Sequence, residues 1–229
     1  MRTKDELLQK IDDDLIWRRR ELSAFRAAIQ DTGPLTGRRS SLLRAGVALL
    51  YAHWEGFVKR CGTYYLEFVA NQGKKGSELQ VNFIAVKFKS RLTEANKSNK
   101  PSASAELVEF FCTRLDDRLR IPHRDIIDTK SNLSSSVLRE IVWILGLNMS
   151  PYETKCHLID SSLLNRRNHI AHGDVLDIGL EDYLTLHDEV MFLIDTFRTQ
   201  LQNAAVTNAF MRPPLQTSNR HGVQLTVTA

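Results

Sequence analysis

Apolar residues recur at helical spacing along most of the chain, and this pattern predicts five principal helices. Within each helix the apolar positions return every three or four residues, so that one face is apolar and the opposite face is polar. Helices of this length joined by short connections favour an all-α bundle in which neighbours run up and down. The five predicted helices cover residues 5–30, 41–70, 131–146, 153–172 and 181–204.

Capping residues predict where these helices begin and end. Ser40 or Ser41 is predicted to cap the second helix, and Ser131 or Asn132 the third, which ends at Gly146. The second helix also contains three glycines, each of which costs about 1 kcal/mol relative to alanine in a helix interior. Such glycines permit close approach of a neighbouring element, and they lie at Gly46, Gly56 and Gly62.

The region between the second and third helices is the least regular part of the pattern. Residues 81–88 fit a strand or a helix, whereas residues 104–119 have apolar positions at helical spacing. At the other end, residues 223–227 fit either an edge strand or part of a loose tail. These differences predict three parts: a helical domain (1–205), an insert within it (71–127) and a C-terminal tail (206–229).

Composition is that of an ordinary globular protein. The net charge of +4 is too small to identify a nucleic-acid-binding protein by itself. Several basic clusters occur; each alone is typical of a solvated helix face, while a few of them together can line a groove for RNA. The clusters are residues 18–20, 38–39, 59–60, 74–75 and 87–91.

Cysteine usage and hydropathy bear on location. The three cysteines are far apart and form no CxxC pair, which predicts reduced thiols in a cytoplasmic protein rather than a disulfide framework. The N-terminus lacks the apolar run of a signal peptide, and no stretch approaches the roughly 18 apolar residues that a membrane span needs. The sequence therefore predicts no association with a membrane.

The densest group of chemically capable side chains lies at residues 163–174. Asn168 and His172 are four residues apart and share one face of an ideal helix, with Arg167 about 100° away from Asn168. Gly173 suits the left-handed conformation that ends a helix. The three polar side chains can therefore converge on a molecule that lies across the helix end.

These residues resemble a known family. The hexapeptide Arg167-Asn168-His169-Ile170-Ala171-His172 matches the Arg-Asn-x-x-x-His signature of the HEPN superfamily, and residues 43–59 and 128–133 resemble two further blocks of its MAE-like branch. The resemblance covers roughly residues 10–205. It implies a HEPN-type helical bundle that acts as a metal-independent endoribonuclease, without a cofactor, and as a homodimer. It also implies a role in bacterial defence, or as a toxin restrained by an antitoxin or another regulatory protein.

The resemblance assigns roles within the motif. Arg167 and His172 are implied to be catalytic, and Asn168 to orient the histidine or the phosphate. The chemistry fits, because RNA brings its own 2′-hydroxyl as nucleophile, histidine exchanges protons near neutral pH and arginine stabilises charge on a phosphate. Three further residues are candidate substrate contacts: Arg166, Lys130 and Glu55.

The same residues also fit purely structural roles or a different chemistry. Arginines are favoured near a helix C-terminus by the helix dipole, and Lys130 lies where a helix is predicted to begin. A metal site is disfavoured, because His157 lies more than three turns from His169 and no acidic pair completes a ligand set. No nucleophile-elbow motif supports a serine hydrolase. The alternative function is a catalytically inactive HEPN module that binds a partner protein or a nucleotide.

Overall fold

The computed structural model describes residues 1–33, 37–98 and 101–213. Within these ranges the chain is all-α, with extended pairing limited to two isolated bridges, which confirms the predicted helical bundle. The elements in chain order are α1 (Lys4–Gln30), α2 (Gly37–Asn71), a 3₁₀ turn (Gly76–Glu78), α3 (Val81–Ser98), α4 (Pro101–Thr113), α5 (Ser135–Ile144), α6 (Ser150–Glu153), a π-helix (Leu158–Asn165), α7 (Arg166–Ala171) and α8 (Leu180–Val206).

The long helix α2 is the centre of the bundle. It packs against α1, α8, α7 and the π-helix. Because neighbours lie on several sides of α2, residues on more than one of its faces are buried, and these include Tyr51 and His53 as well as the apolar Leu50, Trp54 and Phe57. In the middle of this core, the indole of Trp54 meets the ring of Phe197 from α8 edge-on, with the ring centroids 6.3 Å apart.

The glycines of α2 lie where other elements come closest. A Cβ added at Gly46 would lie 2.6 Å from Cε2 of Tyr183 in α8, and one at Gly62 would lie 3.2 Å from Cδ1 of Leu145. At Gly56 the nearest atom is Nη1 of Arg18 in α1, at 3.1 Å. The predicted close approach is thus confirmed.

Replacing Gly46 by valine is expected to lower the free energy of unfolding by about 1–3 kcal/mol, because the packed Tyr183 ring would have to move. The matched control is Gly37→Val in the same helix, where no described atom lies within 4 Å of the added Cβ. That variant should stay within about 0.5 kcal/mol of the wild type. Urea unfolding followed by circular dichroism measures both changes, and equal losses would contradict the packing argument.

The ambiguous segment 81–88 is helical and forms the first half of α3. α3 packs against α4 through aromatic side chains, with the ring centroids of Phe88 and Phe110 4.5 Å apart. α4 covers only part of the predicted helical segment 104–119, because it ends at Thr113. The tail prediction at 223–227 lies outside the described residues. None of the described helices has the length and apolar character needed to cross a bilayer.

Three predicted boundaries need correction. α2 begins at Gly37, before the predicted caps at Ser40 and Ser41. α5 is capped by Ser134, whose hydroxyl accepts a hydrogen bond from the Val137 N–H at 3.3 Å, and not by Ser131 or Asn132. The predicted single helix over residues 153–172 is divided among α6, the π-helix and α7.

Candidate functional site

The residues singled out at 166–172 follow directly from the π-helix. Its buried residues Ile159 and Leu163 hold this segment against the core, whereas α7 itself has no buried residue. π-helical turns are rare and occur frequently at functional sites. The segment therefore presents a short polar helix at the surface of a firmly packed bundle.

Backbone and side-chain contacts define the end of α7. Gly173 has φ 83°, its N–H donates to the Ile170 carbonyl at 3.1 Å, and the Asp174 N–H donates to the His169 carbonyl at 3.0 Å. This pair of bonds is a Schellman motif, so the predicted helix end is confirmed. The imidazole Nδ1 of His169 lies 2.7 Å from Oδ2 of Asp174, and Arg44 of α2 donates to the Asp174 carbonyl at 3.0 Å. His169 thus has a structural task.

The guanidinium group of Arg167 is held by three neighbours. Its carbon Cζ lies 4.0 Å from the centroid of the Tyr51 ring, and Nη2 donates to the Ser131 carbonyl at 2.8 Å. Nη2 also lies 3.9 Å from Oε2 of Glu55, with both side chains about one-fifth exposed. Nε is buried and has no acceptor among the described residues. The chain therefore fixes the plane of the guanidinium and leaves part of its donor capacity unused.

The loop before α5 supplies the carbonyl that Arg167 binds. Lys130 and Ser131 are both left-handed, with φ 53° and 56°, which is uncommon for residues other than glycine. The Lys130 N–H donates to Oδ1 of Asp128 at 2.8 Å. Consecutive left-handed residues persist only where surrounding contacts hold them, and such conformations cluster at functional sites.

Two contacts brace this loop from outside. The Tyr51 hydroxyl accepts a hydrogen bond from the Leu133 N–H at 2.6 Å. Asp160 of the π-helix accepts hydrogen bonds from the Ser135 N–H and hydroxyl at 2.7 and 2.6 Å. Ser135 begins α5, and a negative charge at a helix N-terminus interacts favourably with the helix dipole. Burial raises the pKa of Tyr51, so this hydroxyl remains protonated at neutral pH.

His172 and Asn168 stand apart from the cluster around Arg167. The His172 imidazole is exposed at the end of α7, and the Asn168 side chain is half-buried. Neither side chain has a hydrogen-bond partner in the part of the chain that the structure describes; their only link is the His172 N–H, which donates to the Asn168 carbonyl at 3.0 Å. Both groups are therefore available to a molecule that approaches the end of this helix.

The candidate substrate contacts occupy different positions. Glu55 faces Arg167 directly, as given above. Lys130 is exposed and precedes the residue whose carbonyl Arg167 binds, so its ammonium group borders the same loop. The side chain of the half-buried Arg166 forms no hydrogen bond or ion pair within the described ranges. Of the three, Glu55 lies beside Arg167 of the motif. Lys130 adjoins Ser131, whose carbonyl Arg167 binds.

His53 lies on another side of α2. It is buried against α1, where its Nε2 is 2.7 Å from Oε2 of Glu21 and its Nδ1 is 3.3 Å from Nη1 of Arg18. Burial lowers the pKa of His53, the Arg18 guanidinium adds to that effect and the Glu21 carboxylate opposes it. His53 and Glu55 flank Trp54 in sequence, yet His53 faces α1 whereas Glu55 faces Arg167 of α7.

Tyr51 and Arg44 are the contributors that the sequence pattern did not single out. Both lie in the segment 43–59, in which only Glu55 was named as a candidate contact. The spacing of Tyr51 and Glu55, four residues apart on one face of α2, was the available signal. Among the described residues no three His, Cys, Asp or Glu side chains lie close enough together to hold a metal ion.

Comparison with known protein families gives a match over most of the chain. A family model described as MAE_28990-like HEPN matches residues 7–210. No curated protein and no solved structure matches the chain. The matched span includes every contact described above for α7, α2 and the loop before α5.

Proposed function

The chain belongs to the MAE_28990-like HEPN family, and from this membership we propose that it is a metal-independent endoribonuclease. HEPN domains are generally associated with RNases, and they generally bind RNA or dimerise. The observation that carries the proposal is the fixed guanidinium of Arg167 on the same short helix as an exposed His172. A module that only binds a partner has no chemical need for this combination.

The reaction that these groups suit is attack by the 2′-hydroxyl of RNA on its neighbouring phosphate. One imidazole takes the proton of the 2′-hydroxyl as the new O–P bond forms, and an acid protonates the departing 5′-oxygen. The products are a 2′,3′-cyclic phosphate and a 5′-hydroxyl. Arg167 stabilises the negative charge that grows on the phosphorane oxygens, and the half-buried Asn168 is placed to orient phosphate or imidazole.

A two-fold dimer completes the set of groups. One chain carries a single His172 and a single Arg167 in the motif, whereas the reaction needs a base and an acid together. Juxtaposing two α7 ends across a two-fold axis supplies two copies of each group. The biological setting that we propose is cytoplasmic, in defence or as a toxin restrained by a partner protein.

RNA cleavage is expected to persist in EDTA, because the proposed chemistry uses side chains and the 2′-hydroxyl and needs no metal ligand set. The test incubates purified protein with total RNA in EDTA beside His172→Ala protein, and follows the RNA by gel electrophoresis. The wild type should degrade RNA and the variant should not. Complete loss of activity in EDTA that magnesium or manganese restores would contradict the mechanism, and intact RNA at all protein concentrations would favour the inactive binding module.

A further inference from the structure

A groove runs between α3 and α5 and ends at the loop that holds Arg167. It consists of two adjoining cavities of about 350 and 410 Å³. Residues common to both come from α3, the loop and α5, and they are Lys89, Ile126, Asp128, Glu140 and Ile144. We call this feature the α3–α5 groove; its size exceeds that of a single nucleobase.

One wall of the α3–α5 groove carries an aromatic side chain turned toward solvent. Trp143 of α5 lines the larger cavity and is 48% exposed, whereas Trp54 is fully buried. Glu140 lies one turn earlier on the same face of α5 and lines both cavities. An indole face next to a carboxylate offers a stacking surface and a hydrogen-bond acceptor side by side.

The charges of the groove distinguish between parts of a nucleotide. Its carboxylates are Asp125, Asp128 and Glu140, and they outnumber the ammonium groups of Lys89 and Lys130. Ionised carboxylates only accept hydrogen bonds, so they disfavour a phosphate and favour the N–H groups on the edge of a base. The groove therefore suits the base of a nucleotide rather than its backbone.

Hydrogen-bond geometry selects among the bases. Asp128 already accepts the Lys130 N–H, and Asp125 lines only the larger cavity. Glu140 lines both cavities and is the carboxylate that shares a face of α5 with Trp143. Guanine presents two adjacent donors, N1–H and the N2 amino group, and a carboxylate can accept both at once. Adenine and cytosine offer one amino group on this edge, and uracil one imino N–H.

The α3–α5 groove borders the loop that binds Arg167. Lys130 lines the smaller cavity, and the carbonyl of the next residue, Ser131, accepts the hydrogen bond from Arg167. A base in the groove would thus lie beside the loop that Arg167 contacts. We propose that the α3–α5 groove is a guanine-binding subsite, with Trp143 stacking on the base and Glu140 binding its N1–H and N2–H groups; as a substrate subsite it rests on the proposed ribonuclease function.

The binding test uses His172→Ala protein and the four ribonucleoside 5′-monophosphates in titration calorimetry. Guanosine monophosphate should bind at least tenfold more tightly than the other three. Because stacking of a base on an aromatic side chain is worth about 1–3 kcal/mol, adding Trp143→Ala should weaken binding by about 5- to 150-fold. Adding Glu140→Gln should reduce the preference for guanine to within a few-fold of the other bases.

The control is Phe192→Ala, which removes a similarly exposed aromatic (50%) from a different cavity, beside Lys155 on the α8 side. It should leave guanosine monophosphate binding unchanged, and circular dichroism should show all variants folded. Equal affinity for the four nucleotides, no saturable binding of guanosine monophosphate, or binding that Trp143→Ala leaves intact would each overturn the subsite. Binding of a basic peptide in the groove, with no binding of any nucleotide, would also overturn the subsite.

A cleavage experiment separates this proposal from the one that it rests on. Wild-type protein digests a defined RNA, and the ends of the products are sequenced. The subsite is supported if the wild type cleaves next to guanosine and Glu140→Gln cleaves without a base preference. Cleavage without any base preference overturns the subsite and leaves the ribonuclease, whereas guanosine binding without cleavage leaves the binding site and rejects the ribonuclease.

Discussion

Replacing His172 by alanine is expected to lower the rate of RNA cleavage by about 10²–10⁴-fold, the usual contribution of a general acid or base. The side chain is exposed and forms no hydrogen bond or ion pair within the described residues, so its removal should leave the fold intact. Single-turnover cleavage of a defined RNA measures the loss, and circular dichroism verifies the fold.

The matched control for this variant is His169→Ala in the same helix. That imidazole contacts Asp174 at the helix end, so its loss should affect stability more than chemistry and change the cleavage rate less than tenfold. If His169→Ala and His172→Ala lose the same activity, His172 has no special role in proton transfer. Wild-type activity in His172→Ala would reject the mechanism outright.

Mixing inactive chains tests whether two copies share one site. Mixing His172→Ala protein with Arg167→Ala protein forms heterodimers. These regain part of the activity if one histidine and one arginine per dimer are enough. If all four side chains are required, the mixture stays inactive. Both outcomes fit a shared site, whereas a dimer that holds the two His172 side chains on opposite faces excludes it.

Replacing Arg167 by lysine is expected to lower cleavage by about 10²–10³-fold, similar to the loss of a donor that stabilises developing charge. The guanidinium lies 4.0 Å from the centroid of the Tyr51 ring while Nη2 donates to the Ser131 carbonyl. An ammonium group keeps the charge but lacks the plane and the fork that these two contacts orient. The loss should therefore appear in kcat rather than in KM alone.

Two further variants show whether position rather than charge matters. Arg166→Lys changes an adjacent arginine whose side chain forms no hydrogen bond or ion pair in the described ranges, and it should lower kcat less than tenfold. Tyr51→Leu removes both the ring under Arg167 and the hydroxyl that accepts a hydrogen bond from the Leu133 N–H. It should therefore lower kcat more than Arg166→Lys does and less than Arg167→Lys does. Near-normal kcat in Arg167→Lys would contradict the positional argument.

Periodicity predicted α1, α5 and α8 well because the burial of each follows one apolar face. The end of α7 was also predictable, since Gly173 has the positive φ that its residue type permits most easily. Sequence pattern failed where contacts come from distant segments. The residue types of Lys130 and Ser131 do not mark them as left-handed. That conformation accompanies the local bond from the Lys130 N–H to Asp128 and two distant ones, in which Arg167 donates to the Ser131 carbonyl and Tyr51 accepts from the Leu133 N–H.

The candidate site was predictable in its residue types and less so in its arrangement. Helical spacing placed Asn168 and His172 on one face, but it could not show that Arg167 turns toward α2 and stacks on Tyr51. That contact depends on how α7 packs against α2, and no short stretch of sequence encodes such a long-range relation. Burial of Tyr51 and His53 on different sides of α2 has the same origin.

The π-helix holds one residue more than an ordinary helix needs to reach the motif. Its hydrogen bonds span five residues rather than four, so a π-helical turn contains about one residue more than an α-helical turn. Deleting one residue from Leu158–Asn165 would therefore let the segment relax to an ordinary helix and leave Arg167 turned toward Tyr51. Exposed Ser161 should accept many substitutions, and it is also a position where the loss of a single codon should be tolerated.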